Sequence, residues 1–220
     1  MSLSLLALAA GHLWRSAKLH FLERNNISMD LQVNFTSKNS RPDLDNFRCC
    51  LTQQRMVHLL AALNHVPPTL LDSGLRLEFG VRNAQSINWL ANMSEAARMA
   101  TWHGFDSFVG LPASKNGKHE SGEWRAGAYS TGGILPPVLP NVRLHPGWFN
   151  ETLATLLGEL KDHPVAFVHM DADIYESTAL VLEEIFRRCA HRVGTVFAFD
   201  EMVGAAARVC GAVRVARCDP

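Results

Sequence analysis

The sequence predicts an α/β fold in which a mostly parallel sheet is covered by helices on both faces. Short apolar runs, above all Val165-Ala166-Phe167-Val168, are of the kind that fill the centre of a parallel sheet. Amphipathic stretches of about ten to fifteen residues alternate with these runs, as right-handed crossover connections require. Carboxylates stand just past two of the runs, in His169-Met170-Asp171-Ala172-Asp173 and in Phe199-Asp200-Glu201. Open α/β sheets bind ligands at that carboxyl edge, so two acidic strand ends in succession point to one acidic site.

Taken in order, residues 1–50 are expected to form an N-terminal helix and a lid segment, and residues 51–220 the α/β domain. Ser2 to Ala10 is apolar but lacks a basic residue before it and is too short to span a bilayer. It reads as an amphipathic helix packed on the domain, with an organelle-targeting peptide as the alternative. Residues 25–50 are polar, include Arg41-Pro42-Asp43, and read as a loop or lid. From Thr52, an N-cap candidate, Met56, Leu59, Leu60 and Leu63 fall on one helical face that Pro67-Pro68 ends.

Leu75 to Phe79 reads as a strand with a sharp exit at Gly80, Ser86 to Met99 has helical spacing, and Thr101 to Phe108 is a second strand containing Asp106. Gly110 to Pro140 is rich in Gly, Pro, Ser and Lys and has no period, which suggests a lid or binding loop. Asn141 to Leu144 is strand-like. Leu153, Leu156, Leu157 and Leu160 form a helical stripe that Asn150 is placed to cap, and Leu182, Ile185, Phe186 and Cys189 form another behind Ser177 or Thr178. Gly194 to Phe199 is the last clear strand.

Lys plus Arg and Asp plus Glu each number 21, so no overall field favours nucleic acid or an anionic membrane. The five cysteines have neither zinc nor redox spacing and read as reduced thiols in a cytoplasmic protein. A homo-oligomer is compatible with all of this.

A glycine at a strand end lets a backbone approach a ligand closely, which makes Gly80 a nucleoside-site residue or, equally, an ordinary tight turn. Asp106, at the end of the next strand, can accept both hydroxyl hydrogens of a ribose. Asp171, Asp173 and Asp200 could instead cap the segments that follow them. His103 and His169 lie in strands and read as packed residues. Trp102, Trp124 and Trp148 could line an acceptor pocket, although Trp148 fits a core equally well.

In order along the chain, Leu77-Glu78-Phe79-Gly80-Val81, His103 to Pro112, Gly147-Trp148-Phe149, His169 to Thr178 and Phe199-Asp200-Glu201 resemble the successive motifs of macrocin-type O-methyltransferases. The resemblance implies a Rossmann-like class I methyltransferase that uses S-adenosylmethionine and, with Mg²⁺ or Mn²⁺, methylates a hydroxyl of a sugar or other small molecule. By the same resemblance Glu78, Gly80, Ser86 and Asp106 would bind the cofactor, and Asp171, Asp200 and Glu201 the metal. Asp171 and Asp173 would be the catalytic carboxylates, with Asp173 as base or supporting group. It further implies a terminal antiparallel hairpin that residues 203–220 are too few to supply, so a truncated end, an exposed last strand and weak catalysis are expected. Two other readings are a metal-dependent nucleotide-sugar glycosyltransferase built on Asp171-Ala172-Asp173, and a degenerate, non-catalytic cofactor-binding or interaction protein.

Overall fold

The computed structural model describes residue 56, residues 59–113 and 125–200, and the backbone of 211–214. Among the described residues, six strands form one sheet in the order β3-β2-β1-β4-β5-β6. They are β1 (Leu75–Phe79), β2 (Trp102–Asp106), β3 (Val142–Pro146), β4 (Val165–Met170), β5 (His191–Phe199) and β6 (Gly211–Arg214). The first five run parallel, and β6 is antiparallel to β5. The helices are α1 (59–63), α2 (Pro68–Ser73), α3 (Gln85–Asn92), α4 (Glu95–Met99), α5 (Phe149–Glu159) and α6 (Tyr175–Arg187).

Every residue of β1 and β4 is buried, as befits central strands covered on both faces. On one face Leu59, Leu63, Leu70, Ile87 and Leu90 pack with Trp102, Phe167 and Val196. On the other, Leu153, Leu156, Val181 and Ile185 pack with Leu77, Phe105, Val168 and Phe197. The expected Rossmann-like sheet with helices on both faces is therefore present. The chain leaves β1 towards β2 and β3, then returns to place β4 on the other side of β1. Carboxyl ends diverge at that reversal and leave a crevice.

Several local expectations need correction. Residues 86–99 form two helices, because Ser94 adopts an extended backbone (φ −147°) and its hydroxyl accepts from the Ala97 N–H at 3.0 Å, capping α4. Pro68 opens α2 at its first turn instead of only ending what precedes it. Trp148, not Asn150, is the cap residue of α5, and α6 starts two residues before Ser177, with Ile174 in the cap position. Thr178 is buried within α6, its hydroxyl directed to the Ile174 carbonyl.

The bare β5 edge is also corrected. Val196–Phe199 pair with β6, which satisfies an edge that would otherwise invite intermolecular pairing. The N-terminal helix and lid, Thr52, Trp124, Glu201 and the cysteines other than Cys189 lie outside the described residues. No helix of the described residues is long and apolar enough to cross a membrane.

Candidate active site

Register brings the acidic strand ends into one row. Phe79 lies beside Phe105 and Met170, and Met170 beside Phe199. The next residues are therefore Asp106, Gly80, Asp171 and Asp200, in that order across β2, β1, β4 and β5. Backbone bonds tie the row: the Gly80 N–H donates to the Phe105 carbonyl, Asp171 N–H to Phe79, and Asp200 N–H to Met170, each at 2.9–3.0 Å.

Gly80 has φ +92°, and a β-carbon there would fall 2.9 Å from the carbonyl carbon of Asp171 and still closer to its oxygen. Only glycine meets both conditions. Glycine thus lets β1 and β4 close up here, and its backbone lines the cleft between Asp106 and Asp171.

A cleft of about 810 Å³ opens over this row and is lined by Gly80, Asp106, Asp171, Asp173, Glu176 and Asp200 among others. Its volume is in the range of cofactor sites. Each oxygen of the Asp106 carboxylate accepts a backbone N–H at 2.7 Å, Oδ2 from Arg82 and Oδ1 from Phe108. These bonds fix the carboxylate and leave further lone pairs for a ligand. Asp173 holds a left-handed backbone (φ 57°) at the start of the turn into α6.

Glu78 and Ser86 are not brought to the cleft. Glu78 is fully buried, where it accepts from the Ser86 hydroxyl at 2.8 Å and from His169 Nδ1 at 2.9 Å. The three residues brace β1, β4 and α3 beneath the row. His169 is thus packed, as is His103, whose Nδ1 lies 2.9 Å from His145 Nε2. Burial, reinforced by His145, Arg143 and Arg76, pushes the His103 pKa down to about 4. Burial also lowers that of His145, with Glu159 opposing and Arg143 assisting. Trp102 is core, whereas Trp148 lines the cleft.

Part of the long 110–140 stretch forms a wall of the cleft. Leu111 exchanges backbone bonds with Gly127 and Ala128, and the N–H groups of Thr131 and Gly133 donate to the Phe108 carbonyl. Tyr129 is thereby set against the Arg82 guanidinium, 5.2 Å from ring centre to charge. Neither residue stood out in the sequence, since only the fold brings them together.

Among the described residues, no group of three His, Cys, Asp or Glu side chains is placed to hold a metal ion. Asp171 and Asp200, on adjacent strand ends, offer oxygen donors of the type a hard divalent cation takes. They do not complete such a site by themselves.

Residues 137–216 match the family model described as Macrocin-O-methyltransferase (TylF). No curated protein matches the chain. Among solved structures, CalS11, a calicheamicin methyltransferase, is 17% identical with a TM-score of 0.60, covering 97% of this chain and 96% of its own. The apo form of CalS11, described as a TDP-rhamnose 3'-O-methyltransferase, is 17% identical with a TM-score of 0.51 and covers 97% of this chain and 99% of its own. In sequence over residues 137–216, and in fold along nearly its whole length, the chain is thus similar to O-methyltransferases, the matched family being that of macrocin O-methyltransferase.

Proposed function

We propose that this chain is an S-adenosylmethionine-dependent O-methyltransferase whose acceptor is a hydroxyl of a sugar-bearing small molecule. The observation that carries the reading is the row of strand ends that the register brings to the cleft, with the Gly80 backbone flanked by Asp106 on one side and Asp171 and Asp200 on the other. The family match over residues 137–216 supports methyl transfer to oxygen, and the activity named for CalS11 supports a sugar acceptor.

When bound, the cofactor supplies a methyl group on a sulfonium, and a divalent ion would lower the pKa of the acceptor hydroxyl. Asp106 holds the ribose hydroxyls, with its orientation preset by the Arg82 and Phe108 N–H groups. Gly80 admits the sulfonium part close to the backbone. The carboxylates beyond it favour a cationic sulfonium electrostatically and orient the acceptor oxygen for in-line attack. Asp171 or Asp173 accepts the proton that the hydroxyl loses as its oxygen bonds to the methyl carbon and the carbon–sulfur bond breaks. Asp171 and Asp200, with Glu201, would hold the ion. The buried Glu78–His169–Ser86 brace supports Gly80 and Asp171 from below, a supporting role in place of direct cofactor contact.

The test is calorimetric titration of the chain with S-adenosylmethionine and S-adenosylhomocysteine, followed by transfer of an isotopically labelled methyl group to a panel of sugars and sugar nucleotides. Folded protein that binds neither adenosyl ligand would overturn the proposal.

A further inference from the structure

Arg82 is the one basic residue among the described residues that line the cleft, where every other charged side chain is a carboxylate. Its guanidinium lies over the Tyr129 ring and makes no salt bridge to a described residue. Its backbone is left-handed (φ 47°), a conformation that side-chain-bearing residues seldom adopt, and its N–H is held by Asp106 Oδ2 at 2.7 Å. Tyr129 is left-handed too, at φ 63°. Two unfavourable backbone positions are thus maintained where an aromatic face meets a guanidinium at the wall of the cleft. Such strain marks positions that the surrounding structure fixes for use.

We infer that Arg82, seated on Tyr129, is the anion-holding residue of the cleft, taking the carboxylate of an amino-acid-bearing cofactor or a phosphate of the acceptor. Carboxylates make up the remaining charge among the described residues that line the cleft, which leaves Arg82 as the cation among them that an anionic group would meet. The guanidinium offers a planar fork of donors suited to either carboxylate or phosphate, and stacking on the ring limits the orientations it must give up on binding. The inference rests on the cleft being the cofactor and acceptor site.

The experiment compares wild type with Arg82→Gln, Arg82→Lys and Tyr129→Leu, using S-adenosylhomocysteine, its decarboxylated analogue and inorganic diphosphate as calorimetric probes. Loss of a charge-assisted hydrogen-bonded pair corresponds to a drop of roughly tenfold to a hundredfold in affinity. If the carboxylate is the ligand, Arg82→Gln weakens S-adenosylhomocysteine by that factor and no longer distinguishes it from the decarboxylated analogue. If phosphate is the ligand, Arg82→Gln loses diphosphate binding and keeps S-adenosylhomocysteine. In either case Arg82→Lys recovers part of the loss, Tyr129→Leu shows a smaller loss, and the melting temperature of Arg82→Gln stays within about 2 °C of wild type, as for an exposed substitution.

Equal affinities of wild type and Arg82→Gln for every probe that binds would overturn the inference. Binding of diphosphate through Arg82 without binding of S-adenosylhomocysteine would sink the methyltransferase reading alone. Uptake of none of the probes by folded wild type overturns both.

Discussion

The carbonyl of Asp171 occupies the space that a side chain on Gly80 would need. This one relationship joins the two halves of the sheet at its reversal point. It also makes Gly80 a demanding position. Gly80→Ala would meet the left-handed penalty, about 1–2 kcal/mol, together with a backbone clash that only separation of β1 and β4 relieves. The melting temperature should fall by roughly 5 °C or more, with loss of S-adenosylmethionine binding even in the fraction that stays folded. Thermal unfolding and calorimetry on the same sample check this, and an alanine variant with native stability and affinity would contradict it.

Asp106 carries both a structural and a ligand-binding load. Its two oxygens hold the N–H groups of Arg82 and Phe108, both left-handed residues. Asp106→Ala should therefore weaken S-adenosylmethionine roughly tenfold to a hundredfold, while lowering stability by about 1–3 kcal/mol. Asp106→Asn keeps one acceptor oxygen and should fall between. Calorimetry set beside urea unfolding separates the two effects. Undiminished affinity in the alanine variant would mean that the ribose is held elsewhere.

Periodicity and strand-end chemistry made the sheet legible because both are local: Val165–Val168 is apolar throughout, and Asp171 and Asp200 directly follow their strands. The helix starts were misread where capping residues were nearby but not used. Asn150 and Ser177 fall inside the first turns, and Trp148 and Ile174 take the cap positions without a side-chain bond. Glu78 is a harder case. It lies two residues before Gly80, within the buried span of β1, where it meets Ser86 and His169 instead of reaching the cleft. Arg82 and Tyr129 had no signal at all, since their contact depends on a stretch with no period folding back on the β1 exit.

His103, buried beside the half-buried His145, gives stability a pH dependence of known sign. Burial holds the His103 pKa at about 4 in the folded state, against roughly 6.5 when unfolded. The neutral ring's contribution is complete above pH 6.5 and is lost as pH falls from 6.5 through 4, because the unfolded chain takes up the proton first. The shift corresponds to something on the order of 3 kcal/mol at full loss. His103→Gln, which can still bond to His145, should show a flatter decline in unfolding free energy over that window. Denaturant unfolding at several pH values tests this, and parallel curves for variant and wild type would rule the histidine out as the source.

Asp171 and Asp200 stand on neighbouring strand ends and line the same cleft. Their oxygens suit Mg²⁺ or Mn²⁺, and a cation that binds only the native state raises its stability by mass action. Millimolar Mg²⁺ should therefore raise the melting temperature of the full 220-residue chain, and chelation should return it to the starting value. Asp171→Asn removes one charged donor, so this variant should respond little to added Mg²⁺. That loss of response distinguishes a ligand from a purely structural carboxylate, whose removal would leave the metal response intact. A variant that still gains the full wild-type increment with Mg²⁺ would exclude Asp171 as a ligand.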